Sequence, residues 1–117
     1  MIKKITVIGS GLMGSAIAAH FANVGCEVNL LDIVDKKDDN RSNISSKAIK
    51  NLLKIKPSPL TLKSNINLIT SGNIEDDLNK INESDWVVEA IIENIDIKKE
   101  LYKKIDKIMD NDLIISS

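Results

Sequence analysis

A single cysteine, Cys26, stands in the 117-residue chain, so no internal disulfide can form, and a reducing, cytoplasmic setting is the simplest expectation. With no companion ligand beside it, Cys26 is expected as a small buried thiol, and no metal site is assigned. Aromatic residues are as scarce. Phe21, Trp86 and Tyr102 are the whole set, which gives no obvious means of stacking on nucleic-acid bases. Neither sign of charge is in excess: 16 Lys and Arg against 17 Asp and Glu leave a formal net charge of -1. A nucleic-acid surface would show a basic surplus, and none is present. No apolar run approaches the roughly 20 residues that a membrane-spanning helix needs, so no membrane partner is expected. Met1-Ile2-Lys3-Lys4 leads directly into a strand pattern, without the apolar stretch and cleavage site of a signal peptide.

What remains is an ordinary globular composition, 43% hydrophobic, in a length that allows one domain spanning residues 1–117. Strand-like and helix-like segments alternate along it. Ile5-Thr6-Val7-Ile8 is a short β-branched run that suits a central parallel strand. Met13, Ile17, Phe21 and Val24 follow at helical spacing, and Gly25 is placed to stop that helix. Val28 to Asp32 reads as a second strand. A polar stretch from Asp35 leads to Ile44, Ala48, Leu52 and Ile55, which share a helical face ended by Pro57 and Pro59. The span from Asp35 to Pro59 is expected as an excursion, either ordered or mobile. Asn67 to Thr70 predicts a third strand, and Ile74, Leu78 and Ile81 a short amphipathic helix. Trp86 to Ala90 predicts a fourth strand. Ile97, Leu101, Ile105 and Ile108 mark a further helix, with Lys99, Lys103 and Lys107 toward water. Leu113 to Ser116 begins a fifth strand. Strands separated by helices imply an α/β, Rossmann-type doubly wound parallel sheet, with strand order 3-2-1-4-5 and an end after the fifth strand.

Between the first strand and the first helix lies Gly9-Ser10-Gly11-Leu12-Met13-Gly14, a G-x-G-x-x-G turn in the position where it can act. Gly9 permits the tight turn, Gly11 lets a pyrophosphate approach the backbone, and Gly14 lets the helix pack on the sheet. Leu12 and Met13 would offer backbone N–H groups at the positive end of the helix dipole, so their side chains matter little. A glycine turn without a ligand is the alternative. Asp32 ends the second strand, close to the ~20-residue spacing at which a carboxylate accepts from the adenosine ribose hydroxyls. Such a carboxylate repels a 2′-phosphate, which favours NAD over NADP, while Lys36 and Lys37 argue mildly the other way. Asp32 as a mere turn cap is the alternative. FAD and S-adenosylmethionine also use glycine turns followed by an acidic residue, and the turn alone excludes neither.

The fourth strand runs on as Glu89-Ala90-Ile91-Ile92-Glu93-Asn94. Ligands of doubly wound sheets sit beyond the carboxyl ends of the strands, at the switch point, so Ala90, Ile91 and Glu93 should line the cofactor cleft. Glu89 in an apolar run needs a partner or water. The other reading makes Glu89 and Glu93 solvated rim charges. His20 lies far in sequence from the strand ends and is expected to pack or face solvent.

Taken together, Ile5 to Gly14, Ala18 to Gly25, Asp32, and Asp85-Trp86-Val87-Val88-Glu89-Ala90-Ile91-Ile92-Glu93-Asn94 continuing to Ile97-Lys98 resemble the N-terminal NAD-binding domain of the 3-hydroxyacyl-CoA dehydrogenase family. The pairing of V-E-A with E-x-x-x-x-K is more restrictive than the glycine turn. Ile114-Ile115-Ser116-Ser117 looks like the lead-in to the family's S-N-T-S segment. The span from Asp35 to Ser64 departs from the pattern, since many members carry a longer helical hairpin there. Lys56-Pro57-Ser58-Pro59-Leu60 and Gly72 to Asp77 look more like members fused to an enoyl-CoA hydratase.

The resemblance implies that Gly9, Gly11, Leu12, Met13 and Gly14 hold the pyrophosphate of NAD and Asp32 its adenosine ribose. It implies that Ala90 and Ile91 border the cofactor, and that Glu93 and Lys98 contact the nicotinamide-side ribose. Without it, Lys98 reads as a solvated helix lysine. The reaction implied is oxidation of a 3-hydroxyacyl-CoA to a 3-ketoacyl-CoA in fatty-acid metabolism, including β-oxidation. The His base and the Glu that holds it would follow Ser117, as would the helical domain that forms the dimer interface. The chain itself is therefore expected to contain no catalytic residue. The full-length protein is expected as a homodimer, and the chain alone as a monomer or associated through its exposed fifth strand. Two other readings stay open: a stand-alone NAD-binding regulatory module, and a related 3-hydroxy-acid dehydrogenase that does not use CoA.

Overall fold

Alternation along the first strand decides how the layers form. In β1 (Lys4–Ile8), Ile5 and Val7 point to one face, Thr6 and Ile8 to the other, and all four are buried. A strand buried on both faces belongs at the centre of a parallel sheet with helices on each side. The computed structural model, which describes residues 3–91, 95–108 and 114–116, has this arrangement. β1 joins β2 (Glu27–Asp32), β3 (Ile69–Asn73), β4 (Trp86–Glu89) and β5 (Ile114–Ser116) in one sheet. The order is β3-β2-β1-β4-β5 and every pairing is parallel, which is the Rossmann-type order expected.

Each face has its own core. Ile5, Val7, Val28, Leu30 and Val88 pack with α1 (Leu12–Asn23) and α2 (Asn43–Leu52) through Ala18, Ala19, Ala22, Ile49 and Leu52. Ile8, Leu31 and Val87 on the opposite face pack with Leu101 and Ile105 of α3 (Ile95–Ile108) and with Ile74, Leu78 and Ile81. The last three fulfil the expected apolar spacing, although the backbone there forms a 3-10 turn over Leu78–Glu83. Thr6, fully buried on this face, shares a 2.5 Å hydrogen bond with the Ser84 hydroxyl, which meets the cost of burying its own.

α1 buries a stripe rotated from the one its large apolar residues mark, and α2 buries Leu52 of its expected face but Ser45 and Ile49 in place of Ile44 and Ala48. In α1 the buried residues are Gly14, Ser15, Ala18, Ala19 and Ala22, while Met13 and Val24 are exposed and Ile17 and Phe21 only partly covered. The reason is proximity. Small side chains let the helix backbone lie against the sheet, and large ones would hold it off. In α2 the buried residues are Ser45, Ile49 and Leu52, Ile55 is exposed, and the helix ends at Leu52, well before Pro57. Ser45 tolerates burial because its hydroxyl donates to the Gly72 carbonyl (2.8 Å) and accepts from the Gly72 N–H (3.1 Å). Gly25 does stop α1, with φ +90°. Its N–H donates to Ala22 O and that of Cys26 to Phe21 O, both at 3.0 Å, the bond pair of a Schellman cap.

The third strand lies further along than Asn67 to Thr70. Asn67 and Leu68 belong to a 3-10 turn over Lys63–Leu68, and β3 continues to Asn73, opposite Asp32. The excursion between β2 and β3 is tied down. The Asp35 N–H donates to Arg41 O (3.1 Å), and Asn43 Nδ2 to Asp35 Oδ2 (3.0 Å). At its far end Asn23 donates through Nδ2 to Pro59 O (2.8 Å) and accepts at Oδ1 from Thr61 N (2.9 Å) and Asn65 Nδ2 (3.1 Å). His20 is exposed beside the Phe21 ring and Cys26 is buried, as expected of each. Among the described residues no helix is long and apolar enough to cross a membrane.

Candidate dinucleotide-binding site

The end of β1 is stitched to both neighbours. The Gly9 N–H donates to Leu31 O and the Ala90 N–H to Ile8 O, each at 2.7 Å. Between these bonds the chain turns at Gly9 with φ +108°, where a side chain would be strained. A Cβ there would also stand 2.9 Å from the carbonyl carbon and oxygen of Ala90. Gly14 is more constrained still, because a Cβ on it would lie 1.7 Å from the Gly9 carbonyl oxygen. The turn and the first turn of α1 are thus packed backbone to backbone.

Gly11 differs from both: a Cβ on it would meet nothing within 4 Å. Its absence matters only to something arriving from outside. Gly11 is the N-cap of α1, with no side-chain cap, and its carbonyl accepts the first helical bond from Ser15 N at 2.9 Å. The N–H groups of the first turn have no intrahelical partner, and they carry the positive end of the helix dipole. Leu12 and Met13 point their side chains to solvent, 85% and 54% exposed, so only their backbone borders the turn. An open glycine beside free N–H donors suits an anion with several oxygens.

Asp32 sits alongside. Its Oδ2 accepts from the Ser10 N–H (2.7 Å) and the Ser10 hydroxyl (2.5 Å), and its Oδ1 from the Ile33 N–H (2.7 Å). Ser10 itself is clamped, with its carbonyl accepting from Ser15 Oγ at 2.9 Å. Ser10 occupies a variable position of the glycine motif, where spacing alone assigns it no role. Its residue type was the available signal, since a serine beside a strand-end aspartate can hydrogen-bond to it. Each carboxylate oxygen has two acceptor directions, so Oδ1 keeps one for a hydroxyl donor.

Ala90 and Ile91 lie where the fourth strand meets the turn, Ala90 buried and Ile91 partly so. Glu89 is not a solvated rim charge. It is 4% exposed, and its Oε2 accepts from the Ile91 N–H at 2.6 Å, a bond that shapes the start of this loop. Glu93 lies outside the described residues. Lys98 falls within α3, but its side chain lies outside the described set. A cavity of about 420 Å³ opens beside the turn, between Ser10, Gly11, Leu12 and Ser15 of one wall and Asn51, Lys54 and Ile55 of the other. A larger one of about 700 Å³ lies at the opposite ends of the strands, against Lys3, Phe21 and Cys26. Volume does not decide between them. The first is bordered by the start of α1, whose first-turn N–H groups have no side-chain cap, whereas at the second the Lys3 and Lys4 N–H groups already donate to Asp85. Among the described residues no group of three or more His, Cys, Asp and Glu could hold a metal ion.

A doubly wound parallel sheet, with an open glycine turn at the tip of its central strand and a carboxylate on the next strand, defines a dinucleotide-binding domain. The model of the 3-hydroxyacyl-CoA dehydrogenase NAD binding domain matches residues 4–117, and the chain belongs to that family, whose cofactor is NAD. It is 45% identical over 130 residues to a "Probable 3-hydroxyacyl-CoA dehydrogenase" of Bacillus subtilis, covering 99% of this chain and 16% of the relative. A protein of the same name in Deinococcus radiodurans is 45% identical over 116 residues, covering 99% of this chain and 34% of the relative. The chain thus spans at most about a third of the length of these curated relatives. Among solved structures, (S)-3-hydroxybutyryl-CoA dehydrogenase from Ralstonia eutropha superposes with a TM-score of 0.71 at 25% identity, covering 99% of this chain and 41% of that one.

Proposed function

We propose that the chain holds NAD for an enzyme that oxidises 3-hydroxyacyl-CoA to 3-ketoacyl-CoA in fatty-acid metabolism, and that residues 1–117 form this one domain. Bound NAD supplies the hydride acceptor. The chain's own part is to bind and orient. The first-turn N–H groups of α1, reached across Gly11, take the pyrophosphate. Gly9 and Gly14 keep the turn close to the strands, and Leu12 and Met13 contribute backbone alone. Asp32 accepts from the adenosine ribose, held in place by Ser10. Ala90 and Ile91 border the cofactor, and Glu93 and Lys98 contact its nicotinamide-side ribose. In this reading the His base and its Glu belong to a further domain of a cytoplasmic homodimer, so the chain alone binds cofactor without turnover. The observation that carries the reading is the Ser10–Asp32 contact, which joins an open phosphate turn to a ribose-type acceptor.

Calorimetric titration with NADH, NADPH and S-adenosylmethionine tests it. The folded protein should bind NADH, and NADPH more weakly. Losing hydrogen bonds to a charged group costs about 1.5–3 kcal/mol, so Asp32→Ala should weaken NADH by an order of magnitude or more. Gly11→Ala should do the same by filling the approach, while costing about 1 kcal/mol or less of stability at the N-cap. A folded protein that ignores NADH, or prefers S-adenosylmethionine, refutes the proposal.

A further inference from the structure

The loop after β2 carries the chain's only arginine, Arg41, and the structure shows where it is kept. Its Nε donates to Asp76 Oδ2 at 2.8 Å and its Nη2 to Asp76 Oδ1 at 3.3 Å, a two-point grip. Asp76 is held in turn by Asn73, whose Nδ2 donates to Asp76 Oδ2 (3.0 Å) and whose Oδ1 accepts the Asp76 N–H (2.8 Å). Asn73 is buried at the end of β3, and its register partner across the sheet is Asp32. Neighbouring strands lie about 4.8 Å apart, so the anchor of this chain of bonds stands next to the ribose acceptor. Asn73 Nδ2 also reaches Ser42 Oγ (3.0 Å), which fixes the loop on the far side of Arg41.

Arg41 and Asp76 are both about half exposed, at 53% and 49%. A pair so exposed adds little to stability. What it does set is where the guanidinium points and whether its charge is already neutralised. That matters beside an adenosine ribose, because a 2′-phosphate brings about -1.5 to -2 of charge and seeks a planar, bidentate cation. Specificity is a difference between two affinities, and it can be enlarged by withholding a contact from the wrong ligand.

We propose that Asp76 is a specificity-determining residue: by gripping Arg41 it withholds the loop's guanidinium from a 2′-phosphate, and so deepens the preference for NAD over NADP that Asp32 sets. This rests on the reading of Asp32 as the ribose acceptor. Lys36 and Lys37 lie on the same loop and are left unchanged by the test, so any effect can be assigned to Arg41. Calorimetric Kd values for NADH and NADPH are compared in the wild type, Asp76→Asn, Arg41→Ala and the double variant. A freed guanidinium on a phosphate is a strong charge-assisted contact, so Asp76→Asn should tighten NADPH by about tenfold. NADH should stay within about twofold, since an exposed pair contributes little else. The NADPH gain should vanish in the double variant, and Arg41→Ala alone should leave both ligands near wild type. If Asp76→Asn fails to fold, Asp76→Ser is read in the same way. An unmoved NADPH-to-NADH ratio with intact NADH binding overturns this inference alone, as does a gain that survives removal of Arg41. A folded wild type that does not bind NADH overturns both this inference and the reading beneath it.

Discussion

On one face of the sheet α1 rests on Gly14, Ser15, Ala18, Ala19 and Ala22, and on the other α3 rests on Leu101 and Ile105. The second arrangement buries more apolar area per residue, and a fully buried leucine contributes about 1.5–3 kcal/mol. The first gives up that gain in exchange for distance. Only with small residues between them can the start of α1 sit against the strand tips, with Gly14 in contact with the Gly9 carbonyl. The α1 face recovers some apolar contact further along, where Phe21 meets Trp86 edge-on at 5.6 Å between ring centres. The helix that begins at the phosphate turn is therefore packed for position, and the helix on the other face is packed for burial.

Substitutions on the two faces should separate these roles. Gly14→Ala should have the largest effect. Its methyl would overlap a backbone oxygen that cannot rotate away, so a loss of about 4 kcal/mol or more is expected, seen as a collapse of the urea midpoint. A midpoint within error of wild type would mean that the close approach is not needed. Leu101→Ala should cost about 2–5 kcal/mol through the cavity it leaves. Where it remains folded, NADH affinity should fall less than in Asp32→Ala, because this face holds α3 and not the phosphate turn.

The smallest effect is expected at the other end of the strands. There the Asp85 carboxylate accepts from the N–H of Lys3 (2.7 Å) and of Lys4 (3.0 Å), so these donors have a resident anion. Those bonds, first to Lys3 and then to Lys4, hold the Asp85 pKa below its ordinary 3.8. A carboxyl lowered on folding stabilises the protein above pH 3.8, and that contribution is lost as pH falls through the folded value. Asp85→Asn should therefore flatten the acid limb of the stability–pH curve below that point and leave pH 7 cofactor binding untouched. An unchanged acid limb would show that the contact contributes nothing there.

The sheet order and the glycine turn could be read because each depends on local rules: β-branched runs, helical spacing, and residues suited to a tight turn. The rotated stripe of α1 could not. Counting large apolar side chains finds the residues with most to bury, whereas close packing selected Ala, Ser and Gly. The shift of β3 toward Asn73 was hidden for a similar reason, since the strand continues through Ser71 and Gly72, held by the buried Ser45 hydroxyl from another element. Of the candidate site, Gly9, Gly11, Gly14 and Asp32 were visible from spacing. Ser10 and the Arg41–Asp76 pair were not, because partners 22 and 35 residues apart meet only once the strands are in register.

Asn23 has a consequence for how the domain can vary. By holding Pro59, Thr61 and Asn65 at the end of α1, it fixes the point at which the chain re-enters the sheet. The stretch from Lys56 to Ser58, past the cavity wall that Lys54 and Ile55 form, is thereby mechanically insulated from the phosphate turn: its length can drift, or a new segment can be spliced into it, while β3 still arrives beside Asp32. One amide side chain thus sets the border between the part of this domain that is free to diversify and the part that must stay fixed.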